Sequence, residues 1–380
     1  MRGRVLAALL AAAALAGCAS QAPSPPSTGR LPTVAQPPSP GPRPAPIEPA
    51  PPAAATPAAP GSPFDALGGW DQEDHAAALD AVLAGCRVAR DADLAEVCRR
   101  AAALGHLEEP RARAFLETHF RPQPVPETGL LTAYFTPVYE ARSRRGGEFT
   151  APVRPRPADL PRPVAGAATP LYPDRAEIER RPAHGALAWM RPEDLFFLQI
   201  QGSGVLEDPD GGRRRAVFDG SNGAPFLGLA APMRQQGLLV DQDTSAERIR
   251  AWLAANRGPR AEAVMRLNRR YVFFRLEPDD GGEPAGAAGL RLTPGRALAV
   301  DPAAHAMGEV LWLDAASPVL SGAFPAYRRL ALALDTGGAI HGPARVDLYL
   351  GRGPDAGLEA GRVRHVLRLY RLVPVLPPGA

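Results

Sequence analysis

Lysine is absent from this 380-residue chain; all 43 of its cations are arginine. With no side-chain amine, lysine nucleophiles and Schiff bases are excluded, and so is a Walker phosphate loop. Cysteine is nearly absent too. Cys18, Cys86 and Cys98 are too few and too scattered for a zinc site, and the seven histidines show no ligand spacing. No metal or other cofactor is expected. Charge of one sign is also missing: 43 cations face 40 anions, so no basic field points to nucleic acid as a partner. No apolar run is long enough for a transmembrane helix. What is present is proline (45), glycine (38) and 45% hydrophobic residues, enough for a folded core and, by length, about two domains.

The N-terminus reads as an address. Arg2 and Arg4 precede an apolar run over residues 5–16, too short to span a bilayer but suited to a signal-peptide core. The run ends Leu15-Ala16-Gly17-Cys18, which resembles a bacterial lipoprotein box. That resemblance implies a signal peptide over 1–17 and a lipid-modified Cys18, anchored to a membrane without spanning it. An ordinary signal peptide is the alternative. Residues 19–63 hold sixteen prolines among Ala, Ser and Gly. Such a segment buries too little to offset its ordering entropy, so 18–63 is expected to be a disordered tether. In the polyproline form it would reach on the order of 100 Å.

From Phe64 the pattern changes. Leu79, Val82, Leu83 and Cys86 recur at helical spacing, as do Leu94, Val97, Cys98 and Leu104. Both cysteines fall on apolar faces. An exported protein could join them as a Cys86–Cys98 disulfide or keep two separately buried thiols. A third helix is predicted over 110–120. Strands are then predicted over 130–140, 195–202, 271–275, 310–313, 328–335, 345–350 and 363–373, punctuated by Gly and Pro. A helical pair interrupts them, opened by a Thr244/Glu247 capping box and by Pro259. Many strands with a few helices predict a mainly β fold of barrels or sandwiches.

The densest chemistry lies in residues 330–349. Along a strand, alternation puts Leu330, Leu332 and Leu334 on one face and Ala331, Ala333 and Asp335 on the other. It likewise puts Val346 and Leu348 toward the core, with Asp347 and Tyr349 facing away. Two aspartates beside small residues and glycines suit a groove, where partial desolvation raises a carboxyl pKa toward general-acid range. Equally, Asp335 reads as a turn cap and Asp347 as an ordinary ion-pair partner of an arginine. An aspartic protease needs a second Asp-Thr-Gly. The nearest copy, Asp243-Thr244-Ser245, lies at a helix start and not after an apolar strand. No Gly-x-Ser-x-Gly elbow occurs.

Several blocks in order resemble the membrane-bound lytic murein transglycosylase A family. They are Leu131-Thr132-Ala133-Tyr134-Phe135-Thr136-Pro137, Phe196-Phe197-Leu198-Gln199-Ile200-Gln201-Gly202-Ser203-Gly204, Asn222-Gly223-Ala224-Pro225-Phe226, Tyr271-Val272-Phe273-Phe274 and Leu292-Thr293-Pro294-Gly295-Arg296. The stretch from Asp335 to Tyr349 resembles the small three-aspartate domain. Ala133, Phe135, Ala224 and Phe226 depart from the family pattern. The resemblance implies a double-psi β-barrel domain built from 64–148, with the N-terminal helices, and 276–380, which holds the three-aspartate region. An inserted, barrel-like β domain would occupy 149–275, with the substrate groove between the two.

The family cleaves the β-1,4 bond between N-acetylmuramic acid and N-acetylglucosamine of peptidoglycan without water, leaving a 1,6-anhydro sugar. Ordinary glycoside hydrolysis uses two carboxyl groups. Here the substrate's own C6 hydroxyl attacks, and well-oriented intramolecular attack contributes roughly 7–11 kcal/mol. The resemblance therefore implies Asp347 as acid and then base, assisted by Asp335. Thr132, Tyr134, Gln201, Gly202 and Ser203 would bind sugar. The implied partners are peptidoglycan strands, the membrane through Cys18 and, as a candidate, a cell-wall enzyme complex. The implied place is the periplasmic face of the outer membrane. The alternatives are a non-catalytic peptidoglycan-binding lipoprotein and a water-using muramidase.

Overall fold

The structure is a computed structural model that describes residues 62–161, 172–239, 243–318 and 323–376. The expected signal peptide, Cys18 and most of the tether lie outside the described residues. Three helices lead: α1 (His75–Gly85), α2 (Ala92–Leu104) and α3 (Glu109–His119). Asp74 and Asp91 cap the first two by accepting from the N–H groups of Ala77 and Leu94, and Pro110 sits in the first turn of the third. Their apolar faces bury Leu79, Val82, Val97 and Leu116. Cys86 and Cys98 are joined by a disulfide, with Cα atoms 5.8 Å apart. Closing so short a loop contributes about 3 kcal/mol in the chain-entropy account.

The chain then enters β1 (Phe120–Pro124), β2 (Gly129–Thr136), β3 (Val138–Glu140) and β4 (Ala151–Val153). Next come α4 (Arg175–Arg180), β5 (Ala188–Met190), α5 (Pro192–Gln201), β6 (Gly204–Glu207) and β7 (Arg213–Ser221). After α6 (Ala230–Gln235), α7 (Ala246–Ala255) and α8 (Pro259–Met265) follow β8 (Val272–Pro278), β9 (Ala297–Val300) and β10 (Val310–Pro318). The chain ends with β11 (Ala326–Thr336), β12 (Arg345–Arg352), α9 (Gly353–Ala360) and β13 (Arg364–Pro374). The largest sheet runs β1-β13-β10-β11-β9-β12-β2, and β13 also pairs with β2. That last pairing closes six strands into a barrel and leaves β1 as an outlying strand on β13. A second sheet, β3-β6-β7-β8, and the pair β4–β5 complete the β content.

Alternation along the barrel strands sorts their side chains into two cores. Leu131, Leu311, Leu313, Ala331, Ala333, Val346 and Leu348 fill one cluster. Trp312, Leu330, Leu332, Leu334 and Tyr349 join a second cluster with Leu79, Val82 and Leu116 of the helices. Through the middle of β10, β11 and β12 both strand faces are therefore buried. This corrects the expectation for Tyr349: it does point away from Val346 and Leu348, but into a second core, where it is fully buried.

Two further expectations are corrected. Residues 195–202 are not a strand; they belong to α5. Pro192, Glu193 and Asp194 start this helix, and Gly202 ends it with φ +79°. Leu195, Phe196, Phe197 and Leu198 are all buried, so the helix shows no polar face and its period cannot be read. The cap of α7 is Ser245, not Thr244: its hydroxyl accepts from the N–H of Arg248, while the Asp243 carboxylate accepts from Ser245 N–H.

Candidate active site

The site begins with a register. Strands β2 and β12 pair in parallel, setting Thr132 beside Asp347 and Tyr134 beside Tyr349. Because Val346 and Leu348 take the barrel-core positions, Asp347 is turned to the other side, where Thr132 Oγ1 donates to its Oδ1. Burial pushes the Asp347 carboxyl above the usual carboxylate range. The Thr132 hydrogen bond and the Arg345 guanidinium pull it down, the Asp335 charge pushes it up, and the net direction is up. Arg345 lies two residues earlier on the same strand face, its Nη1 held by the Val346 carbonyl at 2.8 Å.

Asp335 stands at the end of β11, where the pairing with β9 slips between Ala333 and Asp335. Its oxygens are occupied. Tyr134 OH donates to Oδ2 at 2.8 Å, and the N–H groups of Ala287 and Thr336 donate to Oδ1 at 2.9 Å each. Burial still raises its pKa above the ordinary value, against those three donors. Tyr134 is itself pushed far up by burial and by the neighbouring aspartate charges, so it remains a donor.

Asp347 lines a cavity of about 220 Å³ together with Thr132, Tyr134, Gln201, Phe226, Arg270 and Arg345. Asp335 lines an adjoining cavity of about 550 Å³ with Gln201, Gly202, Ser203, Arg270 and the loop 284–287. Gln201, Arg270, Gly337 and Gly338 border both, so the two form one continuous cleft. Gln201 also ties α5 to β2, because its Oε1 accepts from Phe135 N–H at 3.1 Å. The structure thus places Thr132, Tyr134, Gln201, Gly202, Ser203, Asp335 and Asp347 along one cleft. A larger hollow of about 750 Å³ lies at Arg142, Phe149, Asp208 and Arg214. Its Asp208 is engaged by Arg214 in an ion pair at 2.8 Å.

Arginines of the cleft escaped the sequence reading. Arg345 shares a strand face with Asp347, an i, i+2 relation that alternation could have revealed. Arg175 and Arg270, which also line the small cavity, lie on other elements, and no linear signal marks them. Among the described residues no cluster of His, Cys, Asp or Glu is arranged to hold a metal ion.

This arrangement can be set against known proteins. Residues 130–275 match the family described as MltA specific insert domain, and residues 296–373 match the 3D domain family. The chain is 31% identical over 252 residues to the membrane-bound lytic murein transglycosylase A of Vibrio cholerae, covering 64% of this chain and 65% of that protein. It is 31% identical over 258 residues to the Escherichia coli K12 protein of the same name, covering 66% of each. The match thus spans just under two thirds of these relatives. A membrane-bound lytic murein transglycosylase structure from Agrobacterium tumefaciens superposes with TM-score 0.69 at 32% identity, covering 82% of this chain and 96% of that one. The structure of E. coli MltA with bound chitohexaose superposes with TM-score 0.63 at 25% identity, covering 80% and 90%. Two matching domains in order, the sequence identity and the shared fold together establish that this chain belongs to the membrane-bound lytic murein transglycosylase A family.

Proposed function

We propose that the protein is a lytic transglycosylase that cleaves the β-1,4 bond between N-acetylmuramic acid and N-acetylglucosamine in peptidoglycan strands without water. The observation that carries this reading is the asymmetry of the two aspartates. Burial raises the Asp347 carboxyl pKa at the cavity wall, where only Thr132 donates to it among the described residues, whereas Asp335 has both oxygens engaged by Tyr134, Ala287 and Thr336. One acid is poised, and the second carboxyl group is poorly placed to attack as a nucleophile. A reaction whose nucleophile comes from the substrate fits that inventory.

In the proposed step Asp347 gives its proton to the glycosidic oxygen as the bond from C1 of the muramic acid residue breaks. The C6 hydroxyl oxygen of the same residue bonds to C1, and its proton returns to the Asp347 carboxylate. No water is consumed and the acid is regenerated. Arg345 stabilises Asp347 while it is ionised, and Asp335 biases it back toward the acid. Gln201, Gly202 and Ser203 hold sugar in the adjoining cavity. The chitohexaose in the E. coli structure supports a glycan ligand for this cleft. We also read the six-stranded ring as double-psi, from its parallel pairs β2–β12 and β9–β11 among antiparallel neighbours, and 149–275 as the inserted domain.

The test is product mass from purified sacculi. Anhydro-muropeptides are expected from the wild type, none from Asp347→Ala, and glycan binding without cutting from Asp347→Asn. Reducing-end muropeptides would make the protein a muramidase, and no cleavage at all would leave a binding lipoprotein.

A further inference from the structure

Of the three arginines lining the small cavity, two have acidic company and one has none. Arg345 neighbours Asp347, and Arg175 pairs with Glu179 at 3.4 Å. Arg270 makes a single side-chain hydrogen bond, from Nη1 to the Ala224 carbonyl at 3.2 Å, and has no carboxylate partner among the described residues. A partly desolvated guanidinium without a counter-charge is unfavourable unless something else supplies one.

The protein holds the backbone that carries this group firmly. The buried Asn268 carbonyl oxygen Oδ1 accepts from Arg270 N–H at 3.2 Å. Arg175 Nη2 donates to the Arg270 carbonyl at 2.6 Å. The buried Asn222 grips both neighbours, donating to the Arg269 carbonyl at 2.9 Å and accepting from Tyr271 N–H at 2.9 Å. Opposite, Gly338 leaves the room the guanidinium needs: a Cβ there would sit 2.9 Å from Cζ and Nη2. Three buried polar side chains therefore fix the backbone of residues 269–271, and Gly338 makes room for the Arg270 guanidinium at the junction of the two cavities.

We propose that Arg270 is a specificity-determining residue that binds a carboxylate carried by the glycan's substituents. This rests on the reading of the cleft as a peptidoglycan site. In that polymer the carboxylate comes from the lactyl group, where the stem peptide has been removed, or from the stem itself. The group keeps its charge through the reaction, so Arg270 acts equally on the ground and transition states and its effect belongs in KM.

The experiment compares kcat/KM for three substrates: denuded strands bearing free lactyl carboxylates, strands with intact stems, and each of these after carbodiimide amidation. The wild type is expected to prefer one unmodified form over its amidated partner by roughly tenfold or more, as for a charge-assisted hydrogen bond. Whichever form is preferred identifies the carboxylate. Arg270→Gln should bring that ratio near one by raising KM, and Arg270→Lys should keep part of it. A wild type indifferent to amidation, or a Gln variant that keeps the preference, overturns the proposal. Sacculi cut to anhydro products by such an indifferent enzyme would leave the transglycosylase reading standing, whereas no cutting at all would refute that reading instead.

Discussion

At the scale of single residues, the proposed chemistry turns on what burial does to Asp347. A carboxyl group whose folded-state pKa is raised binds its proton more tightly when folded. The folded state keeps that advantage below the ordinary carboxylate range and loses it as pH rises through the raised value. Above it, the native protein carries a penalty of about 1.4 kcal/mol for each unit of displacement. Asp347→Asn removes the charge while keeping a polar group beside Thr132. We therefore expect it to melt higher than the wild type at pH 7 and to show no gain below pH ~3.8, read by thermal melts across that range. In the proposed mechanism the same displacement sets the activity profile, because an acid must be protonated to donate. kcat/KM should fall as pH rises through the Asp347 value, and a flat profile there would remove it from the acid role.

At the scale of elements, α5 is the part on which the site leans most. It presents Gln201 to both cavities and is fixed by ion pairs at its N-terminal end. Arg250 Nε donates to the fully buried Asp194 at 2.7 Å, and Arg257 Nε donates to the buried Glu193 at 3.0 Å. Breaking a buried pair strands a charge, so Arg250→Met should cost about 2–4 kcal/mol in urea denaturation. Pairing it with Asp194→Asn should recover much of that loss. Single and double variants of equal stability would show that Asp194 gains nothing from Arg250. The same helix shows where sequence reading fails. α1 and α2 are legible because one face is wet and the other dry. α5 is dry all round, and β9 is buried at each of its four positions, so neither carries a period. β7 hid for the opposite reason, with Arg213, Arg214 and Arg215 masking its alternation.

At the scale of the whole molecule, the barrel core, the flanking helices and the second sheet frame one cleft, and among the described residues no helix is long and apolar enough to cross a membrane. We propose Cys18 as the point of membrane attachment, from its lipoprotein-box context. Cys18→Ser should move the protein from the membrane to the soluble fraction while sacculus cutting by the purified protein persists; a variant that still sediments with membranes would refute a lipid anchor. The sequence by itself determined what is local. The all-arginine cation set, the expected export signal, the helical periods of α1 and α2, the alternation around Asp335 and Asp347 and the family blocks are properties of neighbouring residues. Only the tertiary structure decided which aspartate has both oxygens engaged. That follows from the parallel register bringing Thr132 to Asp347 across 215 positions, and from Tyr134 reaching Asp335 across 201. Only it could set Arg270 against Gly338. Burial and charge are sums over neighbours in space, and in a barrel closed by its first and last strands most of those neighbours are far apart in the chain.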